Sequence, residues 1–220
     1  MPSQICKASL LSFAAFALAS FLGLGAKAQT SPRRSAKNVV LVHGAWADGS
    51  SWSKLIPLLE AKGLHVIAVQ IPLTSLADDV AATKRAIASQ DGPVVLVGHS
   101  YGGAVITEAG NDPKVVALVY VAAFAPAAGE SVATTGKPYR LPPLSRDVRS
   151  DAQGFLTISA KGITEDFAQD LPQSEKRILA ATQSPTTGAV FDATHYERCL
   201  EDEALVVCDR NQRPRHSSRT

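Results

Sequence analysis

Four stretches of the chain are apolar at every position, where a strand with one wet face would alternate: 39–42 (VVLV), 66–69 (VIAV), 94–97 (VVLV) and 115–121 (VVALVYV). A strand of this kind must be covered on both faces, which is the condition of a parallel sheet between helices. The segments between them carry apolar residues at spacings of three and four. Trp52, Leu55, Ile56 and Leu59 predict a helix over 51–62, Val80 and Ile87 one over 76–89, and a third spans 102–109. Each would lay its apolar face on the sheet. The alternation predicts an α/β fold with an open, doubly wound, mostly parallel sheet, in which ligands sit at the carboxyl ends of the strands.

The pattern changes after Ala122. Residues 126–188 are rich in Pro, Gly and small polar residues, with one later helical stretch over 165–181. A connection this long inside a compact domain reads as a functional insertion, expected to be a cap or lid over the sheet edge. The chain therefore divides into a core over 37–125, a cap over 126–188 and a tail over 189–220, preceded by two further segments. Residues 1–28 have Lys7, an apolar run and the small-residue site Ala26-Lys27-Ala28, the pattern of a secretory signal peptide cleaved before Gln29. Residues 29–36, with Pro32 and Arg33-Arg34, read as a polar linker. Export to the periplasm or outside the cell is expected, with no stable membrane anchor after cleavage.

Composition removes several alternatives. Of 220 residues, 45% are hydrophobic and 19% charged, a globular balance. The net charge of +2 comes from Lys7 and Lys27 in the leader, so the remainder is neutral and gives no reason to expect a nucleic-acid partner. Cys6, Cys199 and Cys208 are too sparse for a bridged framework or a zinc site. No metal and no cofactor is expected.

The chemistry lies where the third apolar run enters Gly98-His99-Ser100-Tyr101-Gly102-Gly103. G-x-S-x-G is a weak match alone, but strand, tight turn and helix are all present around it. Ser100 is the candidate nucleophile, on a turn whose tightness requires Gly98 and Gly102 to lack Cβ atoms. The first strand ends in His43-Gly44-Ala45-Trp46, where this arrangement builds the other half of an oxyanion hole, so the backbone N–H groups of Ala45 and Tyr101 are the candidate donors. His43 is expected to hold that loop by hydrogen bonds, His99 to be a packed elbow residue, and Trp52 to pack in the core, with Trp46 either there or lining an acyl pocket. His65 carries no visible role.

At these residues the chain resembles the α/β-hydrolase family. VLVHGAW, GHSYGG and VVALVYVAAFAP look like its branch of small esterases and hydroxynitrile lyases, and the resemblance covers roughly residues 38–193. It implies a small-molecule ester substrate and a chain order of Ser, then an acid after a further strand, then a His in a final loop. Neither that strand nor that loop is readable. Residues 194–220 hold ten charged side chains in 27, with five arginines and no lysine, and His195 lacks the loop geometry of a triad base. The last strands of the sheet are expected to be missing, and a reading-frame change near Ala193 would account for the shift. In the +1 frame, wobble choices allow ITSGAWKTKPSWYVIATNDRAIHPE, which restores a buried strand ending in Asn-Asp. Sequencing the coding DNA decides between that and a divergent tail. Three functions follow as expectations: a serine carboxylesterase on small esters, an inactive remnant without a complete triad, or hydroxynitrile-lyase chemistry in a full-length relative.

Overall fold

The computed structural model describes residues 36–195 and the backbone of 204–208; the leader and most of the linker lie outside the described residues. The elements of the core follow in chain order: β1 (Asn38–Val42), a 3₁₀ turn (Gly49–Trp52), α1 (Ile56–Glu60), β2 (His65–Val69), α2 (Leu76–Ala88), β3 (Val94–His99), α3 (Gly102–Ala109) and β4 (Val115–Val121). The cap contributes α4 (Val132–Gly136), β5 (Val148–Ser150), β6 (Phe155–Ile158), α5 (Ala160–Gly162), a π turn (Ile163–Phe167), α6 (Gln173–Thr182) and β7 (Thr186–Thr187). The chain returns through α7 (Ala189–Asp192) to β8 (Ala204–Cys208).

The main sheet has the order β2-β1-β3-β4-β8, every neighbouring pair parallel. The chain moves outward from β1 to β2, then returns to the other side of β1 to form β3. That reversal opens a crevice at the carboxyl ends of β1 and β3. Alternate residues serve opposite faces. Val40, Val42, Leu96 and Leu118 join Leu76, Ala82 and Ile87 of α2 and Ala104, Val105 and Ile106 of α3. Val39, Leu41 and Val97 pack instead with Trp52, Leu55, Ile56 and Leu59. Burial on both faces explains the runs of β1 and β3, while the edge strand β2 is half-buried along most of its length.

Three elements differ from the sequence reading. The helix expected over 51–62 is a 3₁₀ turn and a short α1, because Pro57 is tolerated only in a first turn, so the helix begins at Ile56. The helix expected over 165–181 is broken before Pro172, which disfavours a helical residue ahead of it; a π turn precedes the break and α6 follows. The stretch from 189 is expected to be an aberrant or disordered tail, with the last strands of the sheet missing. The structure instead buries Val190 in the core and adds β8 beside β4, pairing Ala117 with Ala204 and Val121 with Cys208. Ala-Leu-Val-Val-Cys is a five-residue apolar run that the surrounding charge hides from any wider window.

The cap has its own small antiparallel sheet, in the order β5-β6-β7. Its core is Ile158, Ile163 and Ala168, packed against Phe167, Leu171, Leu179 and Trp46. Trp46 belongs to the core domain's turn yet sits in the cap's cluster, and so joins the two.

Candidate functional site

Each of the first four strands leaves the sheet through a non-glycine residue with left-handed backbone: Trp46 (φ 60°) after β1, Leu73 (59°) after β2, Ser100 (52°) after β3 and Ala122 (43°) after β4. Such conformations cost about 1–2 kcal/mol each and persist only where the surroundings impose them. At Ser100 the surroundings are explicit. Its carbonyl accepts from Gly103 N at 3.0 Å and Phe124 N at 3.1 Å, and its own N–H donates to Val121 O at 3.4 Å.

The glycines let three backbones meet. A Cβ on Gly98 would lie 2.5 Å from the Gly102 carbonyl oxygen, and one on Gly102 would lie 2.6 Å from the carbonyl oxygens of Val42 and His43. Gly44 faces the nucleophile candidate itself, since a Cβ there would come within 2.9 Å of Ser100 Cβ. The elbow and the turn after β1 are therefore in direct contact.

Ala45 and Tyr101 are both buried, and neither backbone N–H donates to another described residue. Buried amides are normally paired. These two lie on the turns after β1 and β3, which Gly44 brings into contact beside the half-buried Ser100.

His43 is buried, and its ring lies between two backbones. Ile71 N–H donates to Nε2 at 3.2 Å, which leaves Nδ1 to carry the proton and donate to Gly44 O at 2.9 Å. Burial lowers its pKa from the ordinary 6.5, in keeping with a neutral ring. His43 thus ties the turn after β1 to the exit of β2.

His99 departs from expectation. It is exposed, touching Trp52 edge-on at 6.4 Å, because it is the last residue of β3 and its side chain leaves at the sheet's rim. It borders a cavity of about 470 Å³ with Ala47, Lys54, Phe167, Leu171 and Ile178, across which Lys54 pairs with Glu175 at 2.6 Å. A larger hollow of about 730 Å³ lies on the cap between Arg140 and Arg146 and shares no lining residue with the elbow. Trp52 is buried in the core, and His65 bonds Gln90 at 2.8 Å.

Among the described residues none hydrogen-bonds the Ser100 hydroxyl. His195 lies 3.0 Å from Glu108 and is buried beside α3. Two features escaped sequence reasoning. Asp79 is fully buried and joined to Tyr101, a contact across 22 residues that no local motif signals. Asp209, next in sequence after β8, follows a strand of the kind that precedes the acid in this order; it lies outside the described residues.

A doubly wound parallel sheet, a serine on a left-handed strand-to-helix turn and a cap over the carboxyl edge define a hydrolase-type α/β architecture. A sequence model of the alpha/beta hydrolase family matches residues 39–219, and the chain belongs to that family. It is 30% identical over 208 residues to a pyrethroid hydrolase of Sphingobium wenxiniae, covering 80% of this chain and 74% of that protein. It is 35% identical over 122 residues to a carbendazim-hydrolysing esterase of a Nocardioides species, and 38% over 116 to salicylic acid-binding protein 2 of Nicotiana tabacum. Those two matches span 49% and 42% of the relatives' lengths, so the chain corresponds to about half of each. The crystal structure of polyneuridine aldehyde esterase superposes with a TM-score of 0.66 at 19% identity, covering 78% of this chain and 79% of that one. A pyrethroid hydrolase structure does so with 0.63 at 22%, covering 76% and 73%. Among the described residues no helix is long and apolar enough to cross a membrane.

Proposed function

We propose that the chain is a serine hydrolase acting on small carboxylic esters. The observation that carries this reading is the pairing of Ser100, held at a φ of 52°, with the two buried and unengaged N–H groups of Ala45 and Tyr101. Ser100 Oγ gives its proton to a general base as it attacks the ester carbonyl, and the oxygen that becomes negative is stabilised by the two amides. The base then passes that proton to the departing alkoxide, which leaves as the alcohol, and water releases the acid from the acyl-enzyme. The names of the relatives, an esterase and a pyrethroid hydrolase among them, support this substrate class.

The reaction needs a base and an acid. Asp209 is the proposed acid, on the strength of its position directly after β8. Residues 1–28 are proposed to direct export and to be removed before Gln29, which N-terminal sequencing of protein recovered outside the cytoplasm tests.

The decisive experiment combines fluorophosphonate labelling with turnover of p-nitrophenyl acetate. Covalent label on Ser100, together with turnover that Ser100→Ala abolishes, is the expected result. A folded chain that neither labels nor turns over would favour the second reading, an inactive remnant. That reading has its own observation, the Ser100 hydroxyl without a hydrogen bond among the described residues.

A further inference from the structure

Asp79 sits on the first turn of α2 with none of its surface exposed, and among the described residues it forms no ion pair. Its two oxygens are used separately. Tyr101 donates its phenol O–H to Oδ2 at 2.7 Å, and Leu73 donates its backbone N–H to Oδ1 at 2.7 Å. Leu73 is the left-handed residue after β2, and its carbonyl accepts from Thr187 N of the cap at 3.0 Å. One carboxylate therefore joins α2, the exit of β2 and the residue that follows Ser100.

Packing alone does not account for this arrangement, since an apolar pair would fill the same space without desolvating a carboxylate. What a satisfied polar contact adds is orientation. The Tyr101 ring is held along its length by Phe191, edge-on at 5.9 Å, and at its tip by Asp79. With the side chain fixed at both places, rotation of the Tyr101 peptide is suppressed, and its free N–H keeps one direction. Fixed direction is what an oxyanion donor requires, because a donor that must turn during the reaction has already lost most of its effect.

We infer that Asp79 is a positioning residue for the oxyanion hole, acting through the Tyr101 phenol to aim the Tyr101 N–H at the substrate oxygen. The inference rests on the serine-hydrolase reading for its chemistry, while the link from Asp79 to the Tyr101 amide stands on geometry. Asp79 touches no reacting atom in this scheme. Burial raises its carboxyl to about 6, with Asp78 on the same helix acting in the same direction and the Tyr101 and Leu73 hydrogen bonds opposing. The charge that grips the phenol is accordingly present at neutral pH and lost in mild acid.

Two measurements on the full chain test this, each in the parent, Asp79→Asn, Tyr101→Phe and Ser100→Ala. The first follows the backbone amide resonance of residue 101 by NMR as the pH is varied. A midpoint near 6 is expected in the parent, absent from Asp79→Asn and Tyr101→Phe. The second is p-nitrophenyl acetate turnover. The two tether variants should lose about tenfold to a hundredfold in kcat with KM within about twofold, the signature of a donor misaimed in the transition state. A purely structural brace would lower stability and leave both readouts unchanged, and that result in folded variants overturns the inference. So does an amide that does not titrate in the parent. If Asp79→Asn fails to fold, Tyr101→Phe carries both measurements. If Ser100→Ala turns over ester as fast as the parent, the hydrolase reading falls, and the amide titration still decides whether Asp79 governs residue 101.

Discussion

The indole N–H of Trp46 donates to the carbonyl oxygen of Leu156 at 3.0 Å, tying the turn that carries Ala45 to the second strand of the cap. The same residue's backbone N–H donates to Thr186 Oγ1 at 3.0 Å, and its ring meets Phe167 and Phe191. The cap and the turn after β1 therefore share one residue. Trp46→Phe keeps the ring contacts and removes the indole bond, so it should cost about 1 kcal/mol in urea unfolding. Trp46→Ala should cost about 3–5 kcal/mol and expose the cap to limited proteolysis ahead of the core. Equal losses in the two variants would show that the indole's packing contributes nothing.

His43 makes a pH-dependent contribution of known sign. Burial lowers its pKa, so the folded state favours the neutral ring. That preference is present in full above the unfolded value of 6.5 and is lost as pH falls toward the folded one. His43→Ala should destabilise by about 2–4 kcal/mol at pH 7.5 through the unpaired Ile71 N–H and Gly44 O. The deficit should narrow at pH 5.5. A deficit that widens in acid would mean that the ring is charged when folded.

Asp79 has the opposite sign. Its folded pKa is raised from 3.8 to about 6, so the stability it contributes is complete below the lower value and declines as pH rises through the higher one. Relative to parent, Asp79→Asn should be at its worst near pH 4. The deficit should shrink by on the order of 3 kcal/mol by pH 7, which urea midpoints at the two pH values measure. A pH-independent deficit would place the ionisation of Asp79 outside this range.

Ser100→Gly should raise thermal stability by about 1 kcal/mol while eliminating fluorophosphonate labelling, because glycine adopts the left-handed turn without penalty. Ala122→Gly relieves the same conformation one strand away, at an exposed position, and is expected to raise stability without affecting labelling. No gain at either position would mean that the turns are not strained.

What the sequence revealed followed from physical distinctness. Val39 to Val42 and Val94 to Val97 stand out because burial on both faces removes every polar residue, and Gly98, Ser100 and Gly102 because the turn tolerates few alternatives. The cap strands are invisible for the converse reason: Phe155–Ile158 is four residues long and Thr186–Thr187 two, below the length at which alternation means anything. Pro57 and Pro172 were legible as residues, and their breaking of the two expected helices follows directly from them. The Asp79–Tyr101 bond and the place of Trp46 in the cap's core are long-range facts. No window along the chain contains both partners.

The position of β3, third of the five strands in β2-β1-β3-β4-β8, has a consequence for how the protein fails under stress. Its backbone is bonded on both sides, so its amides can exchange with solvent only when the sheet as a whole opens. The cap, with three short strands and its own small core, opens at lower free energy. Warming would therefore erode whatever pocket the cap shapes while the elbow is still intact. Discrimination among substrates would be lost at a lower temperature than reactivity, and hydrogen exchange resolved by segment would separate the two events.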